Sequence, residues 1–444
     1  MKKFFLCAAL AACAFSLWAE GVDYSGSLCA QVGVGLPQTE DNKGAFLVGN
    51  LVFDNVVKAY LGESMFYLDA ALLVDGVQSQ STNGVSKFVS ADNVFALKLQ
   101  EAYIDYNGGF WALRAGRQIA GWGKADGIQI ADILCPKDES NMIASSYKES
   151  RLGIDALRLS FMNDFMQTDL YWVPIFTPSV LPFAKKNPLN QILFPSKYEG
   201  LDIKAPQSQS DLDVPSLKIY NSEFAARASF YFSKFDLSFY GFYGWDDLPL
   251  ISYEMDSATS VKVGGQYKRM AMVGADAAIP CGDFVFRLEA AFFPRRNIQT
   301  SSAFQAQAQL AGLSIEAGEE KEQLLGLAGL DWTLAGGWTI TAQYIADGIF
   351  GSASNLDRKV YQHQASLSVQ KKLFNETLSV SFLGFLDLND LSSLAELSAE
   401  YSLTDSIKLA LIGDFFNKGM DWKDGVYGRY KNLSCATLRT KISF

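Results

Sequence analysis

The sequence predicts an all-β chain that forms a transmembrane, antiparallel, up-and-down β-barrel of about 18 strands, with 16 as the alternative count. Three observations carry that expectation. Apolar and polar residues alternate through many runs. Tight-turn residues join these runs in pairs. The last run ends on an aromatic residue, Phe444.

Alternation comes first because side chains along a strand point to opposite faces in turn. Tyr361, His363, Ala365, Leu367 and Val369 lie on one face, against Gln362, Gln364, Ser366, Ser368 and Gln370 on the other. Leu378, Val380, Phe382 and Leu386 repeat the pattern after a turn, as do Phe224, Ala226, Ala228, Phe230 and Phe232 opposite Glu223, Arg227, Ser229 and Tyr231. A soluble sandwich also alternates, but its strands usually run only about five or six residues. Runs of about 10–13 residues suit the tilted crossing of a bilayer better.

The turns set the count. Gly62-Glu63, Asn107-Gly108-Gly109, Asn163-Asp164, Ser233-Lys234, Cys281-Gly282-Asp283, Ala335-Gly336-Gly337, Asn375-Glu376 and Thr404-Asp405 read as tight hairpin connections, most of them Gly, Asn or Asp sites. These eight hairpins, with a first strand near 22–34 and a last near 433–444, make 18 strands. An even count places both ends on the side of the short turns, the periplasmic side.

The two ends of the sequence agree with export. Met1-Lys2-Lys3, an apolar run from Phe4 to Leu17 and Ala19 before Glu20 read as a secretory signal peptide over residues 1–19. Leu10-Ala11-Ala12-Cys13 offers a lipoprotein signal as the alternative, and either one exports the chain. Residues 20–444 are then one barrel in the bacterial outer membrane. Phe444, at the end of an amphipathic strand, resembles the sorting signal read by the barrel-assembly machinery.

Composition removes several classes. A net charge of −10 argues against a nucleic-acid partner. One histidine, His363, excludes a multi-histidine metal site and leaves no base–nucleophile pair for an enzyme, so no catalytic, metal or cofactor residues are assigned. Two of the six cysteines fall in the signal; Cys29, Cys135, Cys281 and Cys435 are too few for a disulfide scaffold. Cys29 and Cys435 share the inward face of the first and last strands, so a bridge across the barrel seam is chemically permitted if register brings them together.

Two long connections stand out, near 123–150 and 174–220. The second holds seven of the twelve prolines. Loops this long are usually functional or disordered, so each reads either as a segment folded inward to narrow the pore or as an exposed cap.

Residues 114–138 carry a more specific pattern: Arg114-Ala-Gly116-Arg117-Gln118, Trp122-Gly123-Lys124-Ala-Asp126-Gly127, then Asp132, Pro136 and Asp138, with Trp172-Val-Pro174 one hairpin later. This resembles a broad, mostly uncharacterised family of outer-membrane barrels with Gly-Arg-Gln, Trp-Gly, Asp and Pro-x-Asp after an early hairpin. Some of its members resemble polysaccharide-exporting porins. The resemblance implies a barrel and a channel, and names no solute. Cys135 stands where such members are expected to carry Asn.

Read on its own physics, Trp122 beside Gly123 suits a ring at the membrane interface. Arg117 shares parity with Trp111, Leu113 and Ala115, on the lipid side. A charge facing lipid at mid-bilayer costs about 2–4 kcal/mol, so Arg117 lies at headgroup level or is turned inward by a bulge. An inward Arg117 would pair with Asp126, Asp132 or Asp138 and anchor the loop at the pore mouth, where Arg114 and Lys124 are further candidates.

The inward face predicted for the lumen includes Arg227, Arg287, Glu289, Glu396, Glu400, Arg439 and Lys441. Mixed charges on a wall of this size suit passive diffusion of small hydrophilic solutes or ions. The competing reading is a surface adhesin or assembly barrel that displays its loops without an open pore.

Overall fold

The computed structural model describes residues 20–37, 42–125, 127–140, 150–198, 200–420 and 425–444. Residues 1–19, where a signal peptide is expected, and Asp126 lie outside them. Eighteen of its strands close into one barrel. In chain order they are β1 Gly21–Gly35, β2 Phe46–Leu61, β3 Ser64–Asp75, β4 Phe95–Asn107, β5 Trp111–Gln118, β6 Ile154–Met162, β7 Met166–Ile175, β8 Glu223–Tyr231 and β9 Asp236–Trp245. The second half comprises β10 Arg269–Cys281, β11 Phe284–Gln299, β12 Gly318–Leu334, β13 Trp338–Ile349, β14 Tyr361–Leu373, β15 Leu378–Asp387, β16 Ser393–Ser402, β17 Ile407–Asn417 and β18 Cys435–Ser443.

Each strand is antiparallel to the next, and β1 closes the ring against β18 from Ser27↔Ser443 to Gly35↔Cys435. Closure pairs every strand on both sides, which is what lets strands cross a bilayer with no orphaned backbone polar groups at an edge. All eight predicted turns lie between consecutive strands at one end of the barrel. Gly62, Gly109, Gly282, Gly336 and Gly337 take the positive φ that hairpin turns demand.

Side chains follow the alternation. Phe53, Leu72, Phe224, Phe239, Leu397 and Leu438 are exposed on the outer surface, where lipid replaces water. Charged residues lie on the inner face: Asp169 opposite Arg227, Asp276 opposite Glu289, and Glu396 opposite Asp414. Phe444 lies against Tyr24 and Phe53, with ring centroids 5.8 and 6.1 Å away, and its backbone is held by Gly26.

The register settles the seam cysteines. Cys435 pairs with Gly35, while Cys29 pairs with Lys441, six residues further along β1, which separates the two by about 20 Å. The suggested bridge is therefore out of reach, and Cys29, Cys135, Cys281 and Cys435 are all free thiols. Reducing agent is expected to leave the heat-modifiable gel mobility unchanged. A mobility shift on reduction would contradict this register.

The long connections lie at the other end. Residues 250–257 and 260–266 form a hairpin that pairs with 201–204 and, through it, with 197–198, making a separate four-stranded sheet. Sequence reading assigned no element to 246–268. A nine-residue helix, Ser302–Leu310, docks on this hairpin: Gln305 and Gln309 accept the amides of Tyr253 and Met255.

Candidate functional site

The site is the connection between β5 and β6. Both strands are short, at eight and nine residues, because the chain leaves the wall early and turns into the barrel. Gly116 lies two residues before β5 ends, still paired with Tyr103 and Ala156. Its φ is +127°, and a Cβ there would sit 2.4 Å from the Ala102 carbonyl oxygen. The short strand Lys87–Val89, from the preceding long connection, pairs with β4 residues 96–98 beyond the reach of β5.

Once inside, the loop is held by side chains of the inner wall. Glu289 of β11 does most of this. Its Oε1 accepts the amides of Lys124 (2.8 Å) and Ala125 (2.9 Å), and its Oε2 those of Ile130 (2.9 Å) and Ala131 (3.3 Å). A carboxylate suits four converging N–H groups, since it offers two oxygens with two lone pairs each and no donor. Around it, Tyr240 accepts the Gly123 amide, Arg227 donates to the Gly121 carbonyl and Arg287 to the Lys124 carbonyl. Gln343 accepts from Ile128 N and donates to Ile128 O.

Packing reinforces the polar anchors. Trp122 is fully buried, with its ring 5.0 Å from that of Tyr240 and 6.3 Å from that of Tyr171. Ala120, Ala131, Leu134 and Cys135 join it against inward residues of the wall, including Ile154, Val173, Phe242, Met272 and Phe293. Trp122 is thus not an interfacial residue. The large hydrophobic cluster of this protein lies inside the barrel. Cys135 fits there as a small apolar residue whose Sγ meets the Ala120 amide at 3.2 Å. Burial raises its thiol pKa well above the ordinary value, so it stays protonated.

Gly123 is also tightly enclosed. Its φ is +91°, and a Cβ would lie 2.6 Å from Glu289 Oε1. Gly123→Ala combines a strained backbone with displacement of the anchoring carboxylate and is expected to cost about 1–3 kcal/mol, read as a lower urea midpoint of the refolded barrel.

The other sequence candidates are placed as follows. Arg117 is buried but does not reach the loop aspartates. It pairs with Asp155 on β6 (Nε–Oδ1 3.1 Å) and donates to the Val85 carbonyl at 2.7 Å. Asp132 instead pairs with Arg151 and accepts the Trp122 amide, which fixes the base of the loop. Asp138 pairs with Lys87 at 2.8 Å, and both side chains are essentially inaccessible. Arg114 lies inward, paired with Asp105 and stacked over the Tyr103 ring at 4.0 Å. Lys124 approaches Asp236 at 3.5 Å.

Of the lumen candidates, Arg227 pairs with Asp169 (2.7 Å) and Arg287 with Asp331. Glu400 takes both Lys408 (2.9 Å) and Arg439 (3.2 Å). Glu396 lies opposite Asp414, and Lys441 opposite Lys408. Sequence reading did not single out Tyr240, Gln343, Asp155, Asp169 or Arg151. Tyr240 shares the parity of Asp236 and Ser238, and that signal would have found it.

The loop clings to one side of the lumen. Across it, β14–β18 keep a polar inner face. One recess there, of about 220 Å³, is lined by Gln370, Ser381, Glu396, Ser398, Glu400 and Arg439. A second, of about 280 Å³, runs between the loop and the wall past Asp132, Lys137, Arg296, Asp347 and Gln364.

A model of the family described as "Protein of unknown function (DUF1302)" matches residues 36–412. No curated protein sequence matches the chain. Among solved structures, OccAB3 of Acinetobacter baumannii aligns with a TM-score of 0.51 at 10% identity, covering 95% of this chain and 99% of its own. OccAB1 of the same organism aligns with a TM-score of 0.52 at 8% identity, covering 96% and 97%. At such identities the likeness is one of fold.

Proposed function

Since the chain belongs to the family of proteins of unknown function DUF1302 and folds as an integral outer-membrane barrel of the porin type, we propose that it is a passive channel for small hydrophilic solutes. The observation that carries this reading is the asymmetric filling of the lumen. The loop from Ile119 to Cys135 is anchored on β8–β13, while among the described residues a recess stays open on the polar face of β14–β18. An eighteen-strand barrel is wide enough to leave an aqueous passage beside one such loop. The long connections then face outward from the cell, the tight turns face the periplasm, and Phe444 serves barrel assembly.

Swelling of proteoliposomes in neutral sugars of rising size tests this. The channel reading expects swelling with small sugars and a sharp fall as size increases. Folded barrel in the vesicles with no swelling at any size would refute it and select the loop-displaying barrel, for which the four-stranded loop sheet would be the exposed platform.

A further inference from the structure

The hairpin strand Leu250–Ser257 forms one edge of the loop sheet and, among the described residues, pairs only with Ser260–Gln266. An edge strand leaves every second residue with its N–H and C=O pointing outward, open to a further strand. Here those residues are Ile251, Tyr253 and Met255, and glutamine side chains meet them one after another. Gln299 accepts the Ile251 amide at 2.7 Å and donates to the Ile251 carbonyl at 2.8 Å. Gln305 accepts the Tyr253 amide at 3.0 Å and donates to the Ile251 carbonyl at 3.0 Å. Gln309 accepts the Met255 amide at 3.0 Å and donates to the Tyr253 carbonyl.

A carboxamide carries the same donor and acceptor as a peptide group, so the three side chains stand in for the backbone of a neighbouring strand. The helix Ser302–Leu310 makes this possible by its spacing. Four helical residues rise about 6 Å and two strand residues about 6.6 Å, so Gln305 and Gln309 can serve alternate residues of a strand lying alongside.

The strand itself is poorly guarded. Residues 250–255 hold no proline and no lysine, the common guards of an exposed edge, and the ladder becomes irregular only after Met255. The edge is also self-complementary. A second copy running antiparallel about Tyr253 sets Ile251 opposite Met255 and Ser252 opposite Glu254, with no like charges face to face.

We propose that Gln299, Gln305 and Gln309 cap this edge and hold the loop sheet apart from the same sheet of a second copy. Uncapped, the edge pairs with its copy through Ile251, Tyr253 and Met255. The inference does not depend on conduction.

The test is size-exclusion chromatography with light scattering on the refolded full chain in detergent, read as protein mass per particle. Gln305→Ala/Gln309→Ala is expected to at least double the native mass. Adding Tyr253→Pro, which removes an outward N–H that a partner strand needs, should return the mass to the native value. A double variant of native mass would overturn the proposal, because glutamines that only staple the loop would lower its stability without association. A doubled mass that survives Tyr253→Pro would overturn it too. Should the double variant fail to fold, as judged by gel shift, Gln309→Ala decides. A raised mass supports the proposal, and a native mass overturns it, whether the Met255 amide then exchanges hydrogen faster, leaving an open edge that does not pair, or no faster, showing that Gln309 did not cap it.

Discussion

Glu289→Ala is expected to release the inward loop and raise single-channel conductance, with larger sugars admitted in proteoliposome swelling. Four backbone N–H groups would lose their acceptor at once. Each hydrogen bond to a charged group contributes about 1.5–3 kcal/mol, and contributions within one network overlap rather than add. A loss of about 3–5 kcal/mol in the stability of the loop's docked state is therefore expected. That is enough to populate an undocked loop, because Trp122 and its neighbours must hold the segment without polar support. Glu289→Gln should be intermediate, since one carbonyl oxygen remains and the new amide NH2 faces donors. Unchanged conductance and size cut-off in Glu289→Ala would mean that the loop does not set the aperture.

Lys87→Met is expected to destabilise the loop end of the barrel by about 3–5 kcal/mol, the usual result of stranding one member of a buried ion pair. Lys87 and Asp138 are 0% and 1% exposed, and they tie the second long connection to the third. The double variant Lys87→Met/Asp138→Leu should recover most of the loss, because no unpaired charge remains. Protease sensitivity of the loops and urea midpoint both read this. The pH dependence has a definite sign. Burial pushes the Asp138 carboxyl up, but Lys87 and Lys98 and the hydrogen bonds from Lys87 and Ser140 outweigh it and leave its pKa below the ordinary carboxylate value. The pair's contribution is thus fully present above the unfolded carboxylate pKa and fades in acid as pH falls through the depressed folded one. Native protein should lose loop protection on acidification, and the double variant should not share that part of the change.

The wall was legible in the sequence because its rules are local. Gly282 between two amphipathic runs, or Gly336-Gly337 after Trp332 and before Trp338, specifies a hairpin without reference to anything distant. Parity then assigns Glu289, Arg227 and Arg287 to the lumen. The interior was less legible because it is built from contacts far apart in the chain. Trp122-Gly123 is apolar and flexible in either setting, and sequence cannot tell lipid from an apolar pocket inside the barrel. What decides is Glu289, more than 160 residues later, gathering the amides beside it. Arg117 shows the same limit. Its charge required a buried partner or an interface, but only the strand register places Asp155 opposite it. The hairpin at 250–266 went unassigned for another reason: its strands pair only among the loops, outside the rhythm of the wall.

The most direct test of an open lumen beside a docked loop is planar-bilayer recording of the refolded native protein, with reversal potential under a salt gradient. Long-lived conductance steps of uniform size are predicted, with a measurable preference for one ion sign set by the lumen wall. A barrel that folds by heat-modifiable gel shift and inserts, yet stays electrically silent, would contradict the account.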